Sequence, residues 1–167
     1  GAGSDAGAIS CKAVEDGGTY VLDGTKLWCT NGKEADVVIL FASTDPDKGS
    51  RGLSAFIVEK GTPGFAVGKV EDKLGIRGSS TTEFVLEGCR VPAKNMLGPR
   101  GSGYKVALVT LDTGRIGIAS QALGIGKAAL EAACRFAQER SQFGQPIASF
   151  QAIQWMIADM ATRIEAA

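Results

Sequence analysis

Thr19-Tyr20-Val21-Leu22-Asp23-Gly24-Thr25-Lys26-Leu27-Trp28-Cys29-Thr30-Asn31-Gly32 is the stretch on which the fold turns. Tyr20, Val21 and Leu22 favour a pleated surface. Asp23-Gly24 then offers the positive φ angles that a type I′ hairpin turn requires. Lys26–Thr30 is predicted to pair back on Thr19–Leu22, with Trp28-Cys29-Thr30 at the strand end and Asn31-Gly32 turning the chain. Upstream, Ala8–Val14 reads as a strand. Downstream, Asp36–Ala42 reads as a buried one, and Thr44-Asp45-Pro46-Asp47 as a polar loop. Leu53–Glu59, Phe65–Val70 and Thr82–Leu86 bring the count to about seven short strands, the spacing of an antiparallel barrel or sandwich.

The pattern changes near Gly103. Most glycines and every proline but Pro146 lie before that point. Val106, Val109, Ile116, Leu123, Leu130 and Ala137 then follow a helical period. Gly114, Gly117, Gly124 and Gly126 would each cost up to about 1 kcal/mol in an exposed helix, which predicts close packing there against another helix or a ligand. Gly144 and Pro146 break the pattern. A second amphipathic helix is predicted from about Ser149, a plausible N-cap, to the end. Its Ile153, Met156, Ile157 and Met160, with Trp155 beside them, need more partners than one helix offers. The fold expected is therefore α+β: a β-barrel or sandwich domain over 1–98, followed over 99–167 by an α-helical hairpin that is part of a four-helix bundle.

Composition narrows the function. The chain has 18 Lys plus Arg, 18 Asp plus Glu, and no histidine. A balanced charge provides no global field for nucleic acid or anionic lipid. Without histidine, zinc sites of the usual spacing and Ser-His or Cys-His nucleophiles have no candidates here. The four cysteines are widely spaced and read as reduced, partly buried thiols. The longest apolar run, Val37 to Ala42, is far short of a membrane span, which takes about 20 residues.

Three further segments carry chemistry. Gly1-Ala2-Gly3-Ser4-Asp5-Ala6-Gly7-Ala8 allows close backbone approach to a ligand and offers the Ser4 hydroxyl. Leu111-Asp112-Thr113-Gly114-Arg115 sets an acid and a base at helical i, i+3 spacing, which taken alone is a modest surface ion pair. Arg140-Ser141-Gln142-Phe143-Gly144-Gln145-Pro146-Ile147, followed by Phe150 and Gln151, taken alone is a helix end with a cation facing the dipole.

In combination, these segments and Trp28-Cys29-Thr30-Asn31-Gly32 resemble the acyl-CoA dehydrogenase family, flavoenzymes that desaturate acyl thioesters. Arg115-Ile116-Gly117-Ile118-Ala119-Ser120 resembles its short-chain (butyryl) members. The resemblance covers essentially the whole chain. It implies α,β-dehydrogenation of short-chain acyl-CoA, FAD as cofactor, electron-transferring flavoprotein as electron acceptor, and a homo-oligomer, dimer or tetramer. It further implies that Trp28 packs on the isoalloxazine, that the Thr30 hydroxyl bonds near flavin N5, and that Ser4 meets both flavin and acyl-CoA. Cys29 replaces an aliphatic residue and lines the same site. Arg140, Gln142, Phe143 and Gln151 are implied contacts to the FAD of a neighbouring subunit, with Arg140 on the pyrophosphate. Asp112 and Arg115 are implied to line the acyl-CoA pocket. In branched-chain members the position of Gly114 carries the catalytic Glu. Gly114 cannot act as a base, so the resemblance puts the catalytic residue outside this chain. The chain opens inside one motif and stops inside a helix, so a fragment is expected, from bacterial cytoplasm or a mitochondrial matrix. The alternatives are a non-catalytic binding or assembly module, or another flavin relative such as an acyl-CoA oxidase.

Overall fold

The computed structural model describes residues 2–3 and 5–167. Strands β1 (Lys12–Asp16), β2 (Thr19–Thr30), β3 (Val37–Ser43), β4 (Leu53–Glu59), β5 (Phe65–Val70) and β6 (Thr81–Pro92) come first. Helix α1 (Gly103–Glu139), the short strands β7 (Ser141–Gln142) and β8 (Gln145–Pro146), and helix α2 (Gln151–Ala166) follow. The chain divides into two compact units, 1–109 and 110–167, with the division inside α1.

In the first unit six strands form one sheet in the order β4-β3-β1-β2-β6-β5. Neighbours run antiparallel except β1 and β3, which are parallel and meet only at Lys12↔Ser43. A bridge from Phe56 to Met96 folds the chain after β6 onto β4. The sheet therefore curls, but among the described residues no ladder closes it into a barrel. The α+β class is as expected, with six strands in this sheet rather than about seven.

The hairpin lies elsewhere than the sequence suggested. Its turn is Gly17-Gly18, with φ of 56° and 82°, between Asp16 and the Thr19 that pairs with it. Asp23-Gly24 stays inside β2. The register slips there by one residue on β6, where Gly88 takes φ 58° and its N–H donates to Asp23 Oδ1 at 2.6 Å. Asp-Gly thus braces a β-bulge in the neighbouring strand. Both residue pairs suit a turn, and only the pairing partner decides between them. Lys26–Thr30 accordingly pairs with β6 rather than back on Thr19–Leu22.

The core lies in the curl of the sheet. Leu22, Phe56, Val58, Leu86, Cys89 and Val91 are closed to solvent, and Tyr20 and Phe56 meet at 5.1 Å between ring centroids. Each such large side chain contributes about 1.5–3 kcal/mol by burial.

In the second unit α2 lies against α1. Ile153, Ile157, Met160 and Ile164 recur at helical spacing and are half-buried, and Ile164 reaches the open side of Gly126. Met156 and Trp155 face outward, so the predicted stripe is rotated by part of a turn. Gly114, Gly117 and Gly124 border open space among the described residues, where close packing was expected. Helix α2 starts at Gln151 with Phe150 at its N-cap, because Ser149 is taken into a 3-10 turn over Ile147–Ser149. Among the described residues no helix is long and apolar enough to cross a membrane.

Candidate functional site: a slot in the sheet

The short length of β1 creates the site. At the level of Cys11 and Lys12, β1 separates β2 from β3: Lys12 faces Asp23 on one side and Ser43 on the other, and Ser43 N–H donates to the Cys11 carbonyl at 2.7 Å. Upstream of Cys11 the chain leaves the sheet through Ile9, Ser10 and a 3-10 turn at Ala6–Ala8. Strands β2 and β3 run on past that point with no strand between them. The result is a cleft of about 1120 Å³ walled by Thr25–Thr30 and Val37–Phe41. Over these residues β2 pairs only with β6 and β3 only with β4. Their backbone groups on the cleft side therefore have no ladder partner among the described residues, and such groups demand hydrogen-bond partners.

A second bulge shapes the β2 wall. Between Lys26↔Phe84 and Cys29↔Thr82, β2 carries one extra residue, and Trp28 takes φ 61°. A left-handed conformation is unusual for a bulky residue and costs about 1–3 kcal/mol. Its effect is to re-aim side chains. Cys29 turns toward the core, while Trp28 stays 68% exposed beside the cleft and Thr30 remains exposed at its end. Burial pushes the Cys29 thiol up, with Lys26 opposing, so Cys29 is a protonated wall residue.

The end of β2 is held from outside the motif. Asn31 has φ 56°, and its N–H donates to the Ser80 carbonyl at 2.8 Å. Ser79 Oγ donates to Asn31 Oδ1 at 2.7 Å, and Ser80 Oγ donates to Glu34. Gly32 is required by space: a Cβ there would lie 2.1 Å from Thr82 Oγ1 and 2.7 Å from the Phe84 ring. Thr82 Oγ1 is itself buried without a hydrogen-bond partner among the described residues. Sequence reasoning missed Lys26 and the Ser79-Ser80 clasp, because neither residue type is unusual and the clasp joins positions 48 apart.

Ser4 lies outside the described residues. Its neighbours Ala2 and Gly3 line the cleft, as do Trp28, Cys29 and Thr30. The other predicted residues belong to the second unit. Arg140, at the end of α1, donates its N–H to the Phe136 carbonyl and accepts from Ile147 N–H at 2.8 Å. This tie anchors a hairpin where the sequence suggested a helix end: Gln142 pairs with Gln145 around Phe143-Gly144, with φ of 55° and 78°. Phe143 is 93% exposed and edge-on to Phe150 at 6.1 Å. Arg140, Gln142 and Gln151 are also exposed near this turn. Asp112 and Arg115 form an exposed ion pair at 3.8 Å, a geometry worth at most about 1 kcal/mol. Among the described residues no cluster of three metal-ligating side chains occurs.

An open-edged slot beside a flat aromatic face and a free hydroxyl fits a planar heterocycle with donors and acceptors on its rim. The exposed guanidinium and aromatic ring of the hairpin fit a phosphate and a base.

Comparison with known proteins gives the family. The profile "Acyl-CoA dehydrogenase, middle domain" matches residues 1–89, and "Acyl-CoA dehydrogenase, C-terminal domain" matches residues 101–167. The acryloyl-CoA reductase (NADH) of Anaerotignum propionicum is 54% identical over 99% of this chain and 43% of its own length. The butyryl-CoA dehydrogenase structure from Megasphaera elsdenii superposes with a TM-score of 0.97 at 51% identity, covering 99% of this chain and 43% of that one. A chain in a structural study of the electron transferring flavoprotein of Acidaminococcus fermentans gives 0.97 at 55% identity, with the same coverage. The chain thus spans less than half the length of these relatives. With both profiles together covering nearly all of it, the chain belongs to the acyl-CoA dehydrogenase family.

Proposed function

We propose that this chain is the middle sheet and leading helices of an FAD-dependent acyl-CoA dehydrogenase acting on short-chain acyl-CoA thioesters, with domains over 1–98 and 99–167. The observation that carries the reading is the slot between β2 and β3, with Trp28 and Thr30 at its bulged wall. FAD, when bound, supplies the two-electron acceptor. The chain's own residues hold and tune it. Trp28 offers its face to the ring, and the Thr30 hydroxyl donates where charge accumulates on reduction. Ser4 and Cys29 complete the wall. Arg115 and Asp112 serve the acyl-CoA, while Arg140, Gln142, Phe143 and Gln151 serve the FAD of a second copy. Arg140 fits the pyrophosphate because its planar fork matches phosphate oxygens. The carboxylate that removes the α-proton lies outside this chain, since Gly114 has no side chain.

A homo-oligomer follows from a hairpin that serves a second copy's FAD, and electron-transferring flavoprotein is the proposed redox partner. The free cysteines suit a reducing compartment, bacterial cytoplasm or mitochondrial matrix. The test is anaerobic titration of the full-length protein, purified with FAD, using butyryl-CoA. Bleaching of the flavin supports the reading, and an FAD-loaded protein that does not bleach with any short acyl-CoA sinks it. The likeness to an acryloyl-CoA reductase favours a second reading, net flux toward saturation. Oxidation of the reduced enzyme by acryloyl-CoA faster than by electron-transferring flavoprotein would select it.

A further inference from the structure

One side chain crosses the slot from β2 to β3. Where β1 is present, β2 and β3 are two strand spacings apart, about 9.5 Å. Where β1 is missing, nothing in the ladder pattern keeps them there. Lys26 stands on β2 immediately before the bulge that carries Trp28, and its Nζ donates to the backbone carbonyl of Phe41 on β3 at 2.5 Å. A lysine stem plus one hydrogen bond spans about two strand spacings. The carbonyl that Lys26 satisfies lies two residues before Ser43, where β1 last touches β3. Lys26 therefore occupies the next place along the line that β1 vacates. The residue is half-buried, and the ionisable groups acting on its amine are the thiols Cys11 and Cys29, not a carboxylate. Burial lowers its pKa, so the ammonium is dehydrated without a salt bridge in return. A free surface lysine would avoid that cost.

We propose that Lys26 is a positioning residue, a cross-slot brace that replaces the missing part of β1, fixes the separation of β2 from β3, and so sets where Trp28 and Thr30 present to the ligand. This inference rests on the FAD reading above and assigns a residue that reading does not use.

The test uses the full-length protein carrying this sequence, purified with FAD. Lys26→Met keeps the stem and removes the donor; Lys26→Arg keeps a donor. The brace predicts that Lys26→Met binds FAD at least about tenfold more weakly and that its remaining bound flavin shows an altered visible circular dichroism band. Lys26→Arg restores the band and most of the affinity. Unchanged affinity and an unchanged band in Lys26→Met overturn the brace while leaving the FAD reading intact. A drop in thermal stability with the band unaltered also overturns it, because that is the signature of a purely structural lysine. Should Lys26→Met fail to fold, Lys26→Gln decides, since its shorter stem cannot reach Phe41. The brace predicts the same loss there, and wild-type behaviour overturns it. Wild-type protein that holds no FAD fails the FAD reading first, and the brace falls with it.

Discussion

Leu22, Phe56 and Leu86 in the sheet unit are sealed from water, whereas Ile116, Ile118 and Ile125 on α1 are about two-thirds exposed. The helical unit is the richer in apolar residues, yet the sheet unit buries more of them. The sheet closes its core with its own strands and builds its slot entirely from its own residues. The helical unit half-buries one seam and leaves its other apolar faces, with Phe143 and Trp155, outward. Apolar faces of that extent belong against protein. The sheet unit therefore holds a cleft of its own. The helices present exposed apolar faces and a hairpin that carries the exposed Phe143 ring.

That contrast can be broken by matched substitutions. Leu22→Ala should cost about 2–5 kcal/mol in urea unfolding, while Ile116→Ala, already exposed, should cost less than about 0.5 kcal/mol in this chain. Equal losses would mean that α1 is covered here and the contrast is wrong. Glycines give a second pair. Gly32→Ala must displace Thr82 or the Phe84 ring and should destabilise by about 1–3 kcal/mol. Gly124→Ala meets open space in a helix and should stabilise by up to about 1 kcal/mol.

Function sharpens the comparison at smaller amplitude. Thr30→Val removes a donor from the slot without changing its shape, and should weaken FAD binding by about tenfold with little change in melting temperature. Alkaline pH should also act selectively on the sheet. Burial raises the thiols of Cys11, Cys29 and Cys89 above their ordinary value of about 8.5. The unfolded chain then loses these protons first, so stability present below about pH 8.5 is lost as pH rises through the folded values. Lys26 is shifted down and acts oppositely, gaining stability as pH approaches about 10.4. With three thiols against one amine, stability should fall above about pH 8.5, and more steeply in Lys26→Met. A flat profile in reducing buffer would contradict the burial of these thiols. The smallest effect should be Asp112→Asn, within about 0.5 kcal/mol, since its ion pair with Arg115 is exposed.

Much of this was legible in the sequence, for identifiable reasons. Strand and helix periods gave the α+β order, and Trp28 to Gly32 and Arg140 to Gly144 marked two places where the local pattern breaks. The pairing geometry was not legible. Asp23-Gly24 and Gly17-Gly18 are equally good turn formers, and only the longer ribbon of β2 against β6 makes Gly17-Gly18 the turn. Register slips decide that Trp28 is the bulged residue and that Cys29 faces inward, and a slip has no residue-level signature. Lys26 looked like an ordinary polar position in an alternating strand. Its role depends on a strand that is absent, which no local window contains.

The vacated segment beside β1 has one more consequence. Two strand borders facing each other across a gap form a template for any extended peptide, including a loosened segment of another molecule. Such open borders are an aggregation liability, and the cationic Lys26 stands between them as a gatekeeper.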